Sequence, residues 1–340
     1  SAYIDFFKEK MFIISSTGII AFSSTFDKEI YFKQIKSNIN NYLNETHFKK
    51  NHWYSVKDLK ILDNTIYISI TYEMKEECWN TSILTSEINF EHLDFQVLYS
   101  PNECVSKNNI DQEFNAHQSG GRIENLNDRN LIFTTGEYRN RYLAQDDNSA
   151  FGKILKINKT NGTSSLISKG HRNPQGLYFD RIKNIILSTE HGPKGGDEIN
   201  LVELGSEGIK NYGWPISSYG EHYPNKDTEI TKKKYEKYPL IKSHKDKGFI
   251  EPLKYFVPSI GISEILKIKK NNIYLVSSLR DKSIYFFNLE NKKIKNLKKY
   301  EIGERIRDMI VNDGKIFMFL EDTASIGVLK LNWLIFKYTW

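Results

Sequence analysis

The stretch Gly170 to Glu203, GHRNPQGLYFDRIKNIILSTEHGPKGGDEINLVE, sets an Arg-Asn-Pro corner, a β-like run and a Gly-Pro-rich acidic loop close together. Polar residues this dense on both sides of a strand mark a site, because loops held by a rigid scaffold are where binding and catalysis concentrate. In EHGPKGGDEIN, Asp197, Glu198 and the exposed backbone carbonyls are hard oxygen donors of the kind that suits Ca²⁺. An acidic turn capping the next element explains them equally. His117, in NAHQSGGRI, is the first candidate for a general base near neutral pH, although a lone histidine is more often structural. The Gly120-Gly121 pair beside it would allow close approach of backbone to a ligand or to a neighbouring strand.

In GERIRDM, Arg305 and Arg307 are two apart, so on a strand both guanidinium groups project from the same face and need an anionic partner. Arg280 ends NIYLVSSLR, and Arg172 opens the polar stretch. Each alone reads as a salt-bridge residue. Together they fit a ligand with several carboxylates or phosphates, which arginine engages in bidentate fashion.

The elements that must position these residues recur along the chain. A turn residue, a short β-branched and aromatic run, then Ser, Thr or an acid appears as KMFIISSTG (from Lys10), NTIYISITYE (Asn64), NLIFTTGEY (Asn130), NIILSTEHG (Asn184), NIYLVSSLRD (Asn272) and KIFMFLEDT (Lys315). Each copy is followed by a second β-like segment such as GKILKINK, SIYFFNLEN or SIGVLKLN. Short strands at blade-sized intervals predict an all-β architecture, and a six-bladed β-propeller in one domain over 1–340 is the economical choice. MFIISSTGIIAF reads as a hairpin turning at Thr17-Gly18. Lys28 to Leu43 reads as a short helix or a strand with a loop, and roughly 200–260, with its lysine-rich Lys226 to Leu240, as an extended loop insertion.

Composition bounds the function classes. The 340 residues are 39% hydrophobic and 13% aromatic, enough for a sizeable core. The net charge of +6 comes from 48 basic against 42 acidic residues spread along the chain. No zinc-finger spacing, RNP-type motif or Walker loop accompanies it, so no nucleic-acid partner is expected. No apolar run approaches the roughly eighteen residues that span a bilayer, so no transmembrane segment is expected. The chain shows no evident targeting segment and reads as a mature or trimmed product. Cys78 and Cys104 fit no zinc, CxxC or iron-sulfur pattern; they are two free thiols or one disulfide.

GHRNPQGL, STEHGPKGGDEINLVE, KNYGWP, the Pro258-Ser259-Ile260 of YFVPSIGIS, SSLRDKSIYFFNL and ERIRDMIVNDGKIF, joined by HQSGGRI and TTGEYRNR, resemble in order and spacing the soluble quinoprotein glucose/sorbosone dehydrogenases, also called aldose sugar dehydrogenases. The resemblance runs from about residue 50 to 331. It implies a six-bladed propeller binding pyrroloquinoline quinone (PQQ), a tricarboxylate, with Ca²⁺. Carried over by motif, His117 is the base that takes the proton from the sugar C1 hydroxyl as hydride passes to the quinone. Arg172 and Asn173 match cofactor-binding positions, with Arg172 also placed to stabilise a developing quinone oxyanion. Arg305 and Arg307 match the pair holding cofactor carboxylates, and Tyr223 aligns with a tyrosine near the cofactor. The carbonyls of Gly192 and Pro193 resemble ligands of the Ca²⁺ that polarises the quinone, and Glu198 and Tyr212 contributors to a second, structural Ca²⁺ site.

The chain also departs from the family. Arg280 stands where lysine is common, which keeps the charge and changes the donor geometry. Glu137, in TTGEY, occupies an acidic position near the sugar, and Ala116 precedes the base where some members carry a substrate-contacting aspartate. A tryptophan-glycine segment and a glutamine usual in the first blade are missing before Met11, so that blade is expected to be short, with ring closure either imperfect or completed by the C-terminal LKLNWLIFKYTW as a last strand. The expectation taken forward is a secreted or periplasmic PQQ- and Ca²⁺-dependent enzyme that oxidises an aldose C1 hydroxyl to a lactone and passes electrons to an external acceptor. The alternatives are a non-catalytic propeller of the same family that binds carbohydrate or protein, and a hydrolytic Ca²⁺ propeller in which the arginine cluster would lack a purpose.

Overall fold

The six recurrent runs are all second strands of their sheets. In a computed structural model, which describes residues 1–24, 30–223, 228–268 and 272–331, each pairs antiparallel with a preceding strand nearer the axis and with a following strand outside it. The chain thus forms six blades around a ring of innermost strands: Ala2–Phe7, Ser55–Leu62, Gly120–Asn125, Pro174–Asp180, Ile262–Ile268 and Ile306–Asn312. Each innermost strand contacts the next, and the last contacts the first, which closes the ring. The strand sequences alternate β-branched or aromatic residues against small polar ones, which suits a pleated surface packed on both faces by neighbouring blades. Blade four places Ile185, Leu187, Ile199 and Leu201 against Ile262, Tyr274, Val276 and Phe287 of blade five. Blade six meets blade one through Phe317 on Ile4 and Met11, with the Phe6 and Phe317 rings 5.0 Å apart.

The first sheet has four strands, Ala2–Phe7, Lys10–Ser15, Ile20–Ser23 and Lys33–Gln34, and its second and third form the hairpin expected around Thr17-Gly18. Among the described residues, the three-stranded sheet is the sixth. All but the first three residues of LKLNWLIFKYTW lie outside the described residues. Two readings of local structure resolve. The described part of Lys28 to Leu43 holds two-residue strands and a 3₁₀ turn at Ile39–Asn41. The lysine-rich stretch, expected as an extended loop, contains an α-helix over Glu229–Lys237. The Thr228 hydroxyl caps it by accepting from the Thr231 N–H at 3.2 Å, and Glu229 in the first turn and Lys237 in the last complement its dipole. Lys234 turns inward from this helix and pairs with Glu113 at 2.9 Å. Cys78 and Cys104 are disulfide-bonded.

Carboxylates on the innermost strands pin neighbouring blades together. Asp5 accepts from the Ile61 N–H at 2.6 Å, Asp58 from Ile123 at 2.7 Å, Asp308 from Ile4 at 2.8 Å and Glu264 from Leu177 at 3.3 Å. At the axis sits the buried guanidinium of Arg122. Its Nη1 lies 2.9 Å from Asp58, 2.8 Å from Glu264 and 2.8 Å from Asp308. Its Nε donates to the Gln175 carbonyl at 2.6 Å and its Nη2 to the Arg307 carbonyl at 3.1 Å, while the Tyr3 ring lies 5.1 Å away. Burial pushes the Asp58 and Glu264 carboxyls up, against the pull of Arg122. Removing the cation leaves three buried carboxylates facing one another. Arg122→Ala is therefore expected to lose about 3–5 kcal/mol of stability in urea unfolding, the typical cost of breaking a buried ion pair. A loss below about 1 kcal/mol, within the range of an exposed pair, would show that the axis does not depend on it.

Candidate active site

Two cavities flank Arg122, at opposite ends of the inner strands. The larger, about 1110 Å³, is ringed by the later residues of those strands, such as Leu59, Ile123, Tyr178, Leu266 and Ile310. Its wall carries two ion pairs, Lys60 with Glu124 at 2.9 Å and Lys267 with Asp180 at 2.6 Å, and none of the residues expected to act on a ligand reaches it. The second, about 770 Å³, is ringed by the beginnings of the same strands and the loops before them. Here His117, Arg172, Asn173, Gly192, Pro193, Tyr223, Arg280, Arg305 and Arg307 converge.

His117 is set by its backbone: its N–H donates to Asn115 Oδ1 at 2.8 Å, and three residues later the Gly120 N–H donates to Asn173 Oδ1 at 3.1 Å. The imidazole sits at the cavity mouth, its ring 5.4 Å from that of His52. Partial burial, then the charges of Lys57, His52 and Arg307, lower its pKa to about 4, which leaves the ring neutral and able to accept a proton at neutral pH. Arg172 is buried, and its Nη1 donates to the carbonyls of His191 at 2.9 Å and Gly192 at 2.8 Å. Its Nε has no hydrogen-bond partner within the protein; nor do His191 Nε2 and Ser259 Oγ in the same wall. Tyr223 is exposed at the rim, with the Arg139 guanidinium 5.4 Å from its ring.

Arg305 and Arg307 do share a face, and the protein supplies part of their anionic partner. Glu321, just past the strand Lys315–Leu320, accepts from Arg305 Nε at 3.2 Å and from Arg307 Nε at 2.7 Å. Among the described residues Arg280 has no ion pair, and the Arg172 guanidinium hydrogen-bonds to carbonyls and lies 5.2 Å from the Trp214 ring without a carboxylate ion pair. The wall thus holds six cationic side chains (Lys57, Arg122, Arg172, Arg280, Arg305, Arg307) and one carboxylate, Asp197. Asp197 is already taken up by the N–H groups of Gly192 at 3.2 Å, Gly261 at 2.7 Å and Ile262 at 3.0 Å. With Arg122 neutralised at the axis, the remaining cations and the unpartnered polar atoms suit an anion with several carboxylates.

Three expected residues lie elsewhere. Glu198 and Tyr212 line a small adjoining cavity that shares Arg172 and Gly192 with the main one. Glu198 accepts from Asn200 at 3.3 Å, and burial and the facing Glu190 push its carboxyl well up; Asn200 Oδ1 and Ser217 Oγ nearby are unpartnered. That donor set is oxygen-rich and one that a hard cation would relieve. Among the described residues, however, no three or more His, Cys, Asp or Glu side chains converge as a metal cluster. Glu137, expected near a sugar, does not line the cavity. Its N–H donates to the Arg172 carbonyl at 3.1 Å, which folds the side chain into the protein, where both carboxylate oxygens lack partners. Burial, opposed by Arg172 and Arg141, raises its pKa to about 7.

The sequence reading did not single out His52, Lys57 or Glu321 as site residues. Lys57 left a signal, a charge interrupting the inner-strand pattern SVKDLKIL; His52 lies in an irregular loop and left none.

Comparison with known proteins gives a consistent neighbourhood. The sequence pattern of the Glucose / Sorbosone dehydrogenase family matches residues 61–330. The aldose sugar dehydrogenase YliI of Escherichia coli is 26% identical over 234 residues, 63% of this chain and 59% of its own length. The chain spans less than two thirds of the length of the curated relatives it first matches. A solved glucose dehydrogenase superposes with a TM-score of 0.74 at 20% identity, covering 97% of this chain and 95% of that one. The PQQ-bound aldose sugar dehydrogenase of Streptomyces coelicolor superposes with a TM-score of 0.67 at 18% identity, covering 93% and 86%. At these identities the superpositions speak for the fold.

The Glu321 geometry makes a prediction of its own. Burial would raise the Glu321 carboxyl, but Arg307, the Ser1 hydroxyl and Arg305 together outweigh it and hold the group at about 2, below its ordinary 4.5. A depressed carboxyl contributes stability above its unfolded pKa and loses it as the pH falls through the folded one. Urea midpoints of the parent protein should therefore exceed those of Glu321→Gln at pH 7, with the gap narrowing between pH 4.5 and 2. A gap independent of pH would remove the ion pairs as its cause.

Proposed function

Because the chain belongs to the glucose/sorbosone dehydrogenase family, we propose that it is a PQQ-dependent sugar dehydrogenase that oxidises the C1 hydroxyl of an aldose to a lactone. The observation that carries this reading is the meeting of a neutral imidazole, His117, with a set of cations that the protein's own carboxylates only partly compensate, in one cavity. PQQ, when bound there, supplies the hydride-accepting centre that no protein side chain provides. Its three carboxylates suit Arg280, Arg305 and Arg307, each at a different point of the wall, and Arg172 and Asn173 offer buried polar contacts beside them. Tyr223 at the rim lines the same space.

His117 accepts the proton of the sugar C1 hydroxyl. Burial and the neighbouring charges that depress its pKa keep it in the unprotonated form, and its anchored backbone holds the ring at the mouth, where a sugar would enter. Arg172 draws electron density toward its guanidinium while remaining fixed by two carbonyls. A calcium ion at the Gly192 and Pro193 carbonyls, and a second at Glu198 and Tyr212, complete the proposal; the oxygen-rich donor chemistry around Glu198 supports the latter. The electron acceptor is external to the chain. The disulfide is in keeping with a periplasmic or secreted setting, which we also propose.

The test is to titrate metal-stripped protein with PQQ, with and without Ca²⁺, and to follow absorbance on adding a panel of aldoses. Calcium-dependent binding with sugar-driven bleaching of the oxidised quinone is expected. A folded protein that binds no PQQ under any calcium condition would overturn the reading. His117→Ala should lower kcat by about 10²–10⁴-fold, the usual contribution of general-base catalysis, with PQQ affinity unchanged. Turnover retained in that variant would remove His117 from its role.

A further inference from the structure

Lys57 is the cation of this cavity that no motif marks. It lies on the inner strand of blade two, and its stem occupies space that Gly121 of blade three leaves open. A Cβ on Gly121 would stand 2.5 Å from Lys57 Cβ and 3.1 Å from Ser69 Oγ, and the Gly121 φ of +116° is one that side-chain-bearing residues rarely adopt. The close approach allowed by the glycine pair is thus to a neighbouring strand, and it delivers an ammonium into the cavity wall.

That ammonium is unusual among the lysines held inside the fold. Lys153 donates to the carbonyls of Leu143 and Phe151 at 2.6 Å, Lys234 pairs with Glu113 at 2.9 Å, and Lys267 with Asp180 at 2.6 Å. Lys57, half-buried, has no such partner among the described residues. The charged and titratable groups around it are Arg307 from blade six, His52 and His117 from the loops before blades two and three, and Tyr3 and Arg122 toward the axis. None is an anion. A partly desolvated ammonium facing only cations and neutral rings is a costly arrangement that a carboxylate in the cavity would relieve.

We propose that Lys57 is a further anchor for the anionic group this cavity takes, forming an ion pair with one of its carboxylates from blade two while Arg307 engages it from blade six. This rests on the cofactor reading above. Burial, then Arg307, lower the Lys57 pKa to about 7 in the unliganded protein. A bound carboxylate raises it again, so at pH 8 binding takes up a proton at Lys57, and affinity falls as the pH rises through 7.

The experiment is isothermal titration of the full chain with PQQ and, separately, with benzene-1,3,5-tricarboxylate, at pH 8 with calcium, in two buffers of different ionisation enthalpy. The parent protein should bind PQQ with proton uptake. Lys57→Met should bind about tenfold or more weakly, the scale of a lost charge-assisted hydrogen bond, and without that share of the uptake. Lys57→Arg, charged throughout this range, should recover affinity without recovering the uptake, which separates lost charge from misfolding. Unchanged affinity and uptake in Lys57→Met, with the parent binding PQQ, would overturn the anchor and leave the cofactor reading standing. Lys57-dependent binding of the simple tricarboxylate without binding of PQQ would keep the anchor and overturn the cofactor reading. Binding of neither would overturn both.

Discussion

Everything in this molecule turns on the Arg122 guanidinium, because it is the one group that all six blades touch or supply. Tyr3 lies against it from blade one, Asp58 from blade two, the Gln175 carbonyl from blade four, Glu264 from blade five, and Asp308 and the Arg307 carbonyl from blade six. Only arginine carries five N–H donors in a plane that can meet such a ring of acceptors. The hub also links framework to function. Arg307 gives its carbonyl to Arg122 while its side chain lines the cavity and donates to Glu321.

Arg122 divides the axis electrostatically as well as sterically. On one side both signs line the wall and two ion pairs form; on the other, cations outnumber carboxylates and the excess is held by fixed geometry. Such a wall opposes its own assembly, since like charges in a partly desolvated space repel. Burial first, and then the same repulsion, depress the pKa of His117 and of Lys57. An imidazole that would be half protonated near pH 6.5 is kept in its neutral form by burial and by the same cations that invite an anion, so one arrangement serves binding and leaves the ring free to accept a proton.

How much of this was legible follows from what each feature depends on. The six runs of β-branched and aromatic residues were readable because a second strand is buried on both faces in every blade, and that constraint repeats in sequence. Arg305 and Arg307 were readable because strand periodicity fixes their common face. His117, Arg172 and Asn173 owed their roles to ordered motifs, and the structure gathers them into one cavity. Glu321 could not be paired with the arginines from sequence, since the contact forms across a hairpin from the end of the next strand. Lys57 depends on the absence of a side chain at Gly121, 64 residues away in the chain. The Glu229–Lys237 helix was concealed by its lysines, which read as a solvated loop although Lys234 is buried on Glu113. Glu137 shows the converse: its place in the motif suggested a ligand contact, and one backbone hydrogen bond to Arg172 turns it inward.

That helix gives the insertion a purpose in the fold. The segment leading to His117 is irregular from residue 107 to 119 and has no sheet of its own to hold it. It is fastened instead at successive points. Cys104 ties its approach to blade two, and Glu113 accepts from Arg141 Nη2 at 2.6 Å and from Lys234 of the insertion helix. Lys234 also donates to the Asp111 carbonyl at 3.1 Å, and the Asn115 N–H to the Tyr138 carbonyl at 3.0 Å. A base on a loop is useful only if its ring is held near one position. Here a helix from between the third and fourth strands of blade four provides that restraint by seating Lys234 on a glutamate four residues before the histidine, so one of the lysines that looked like surface charge is part of what positions the imidazole.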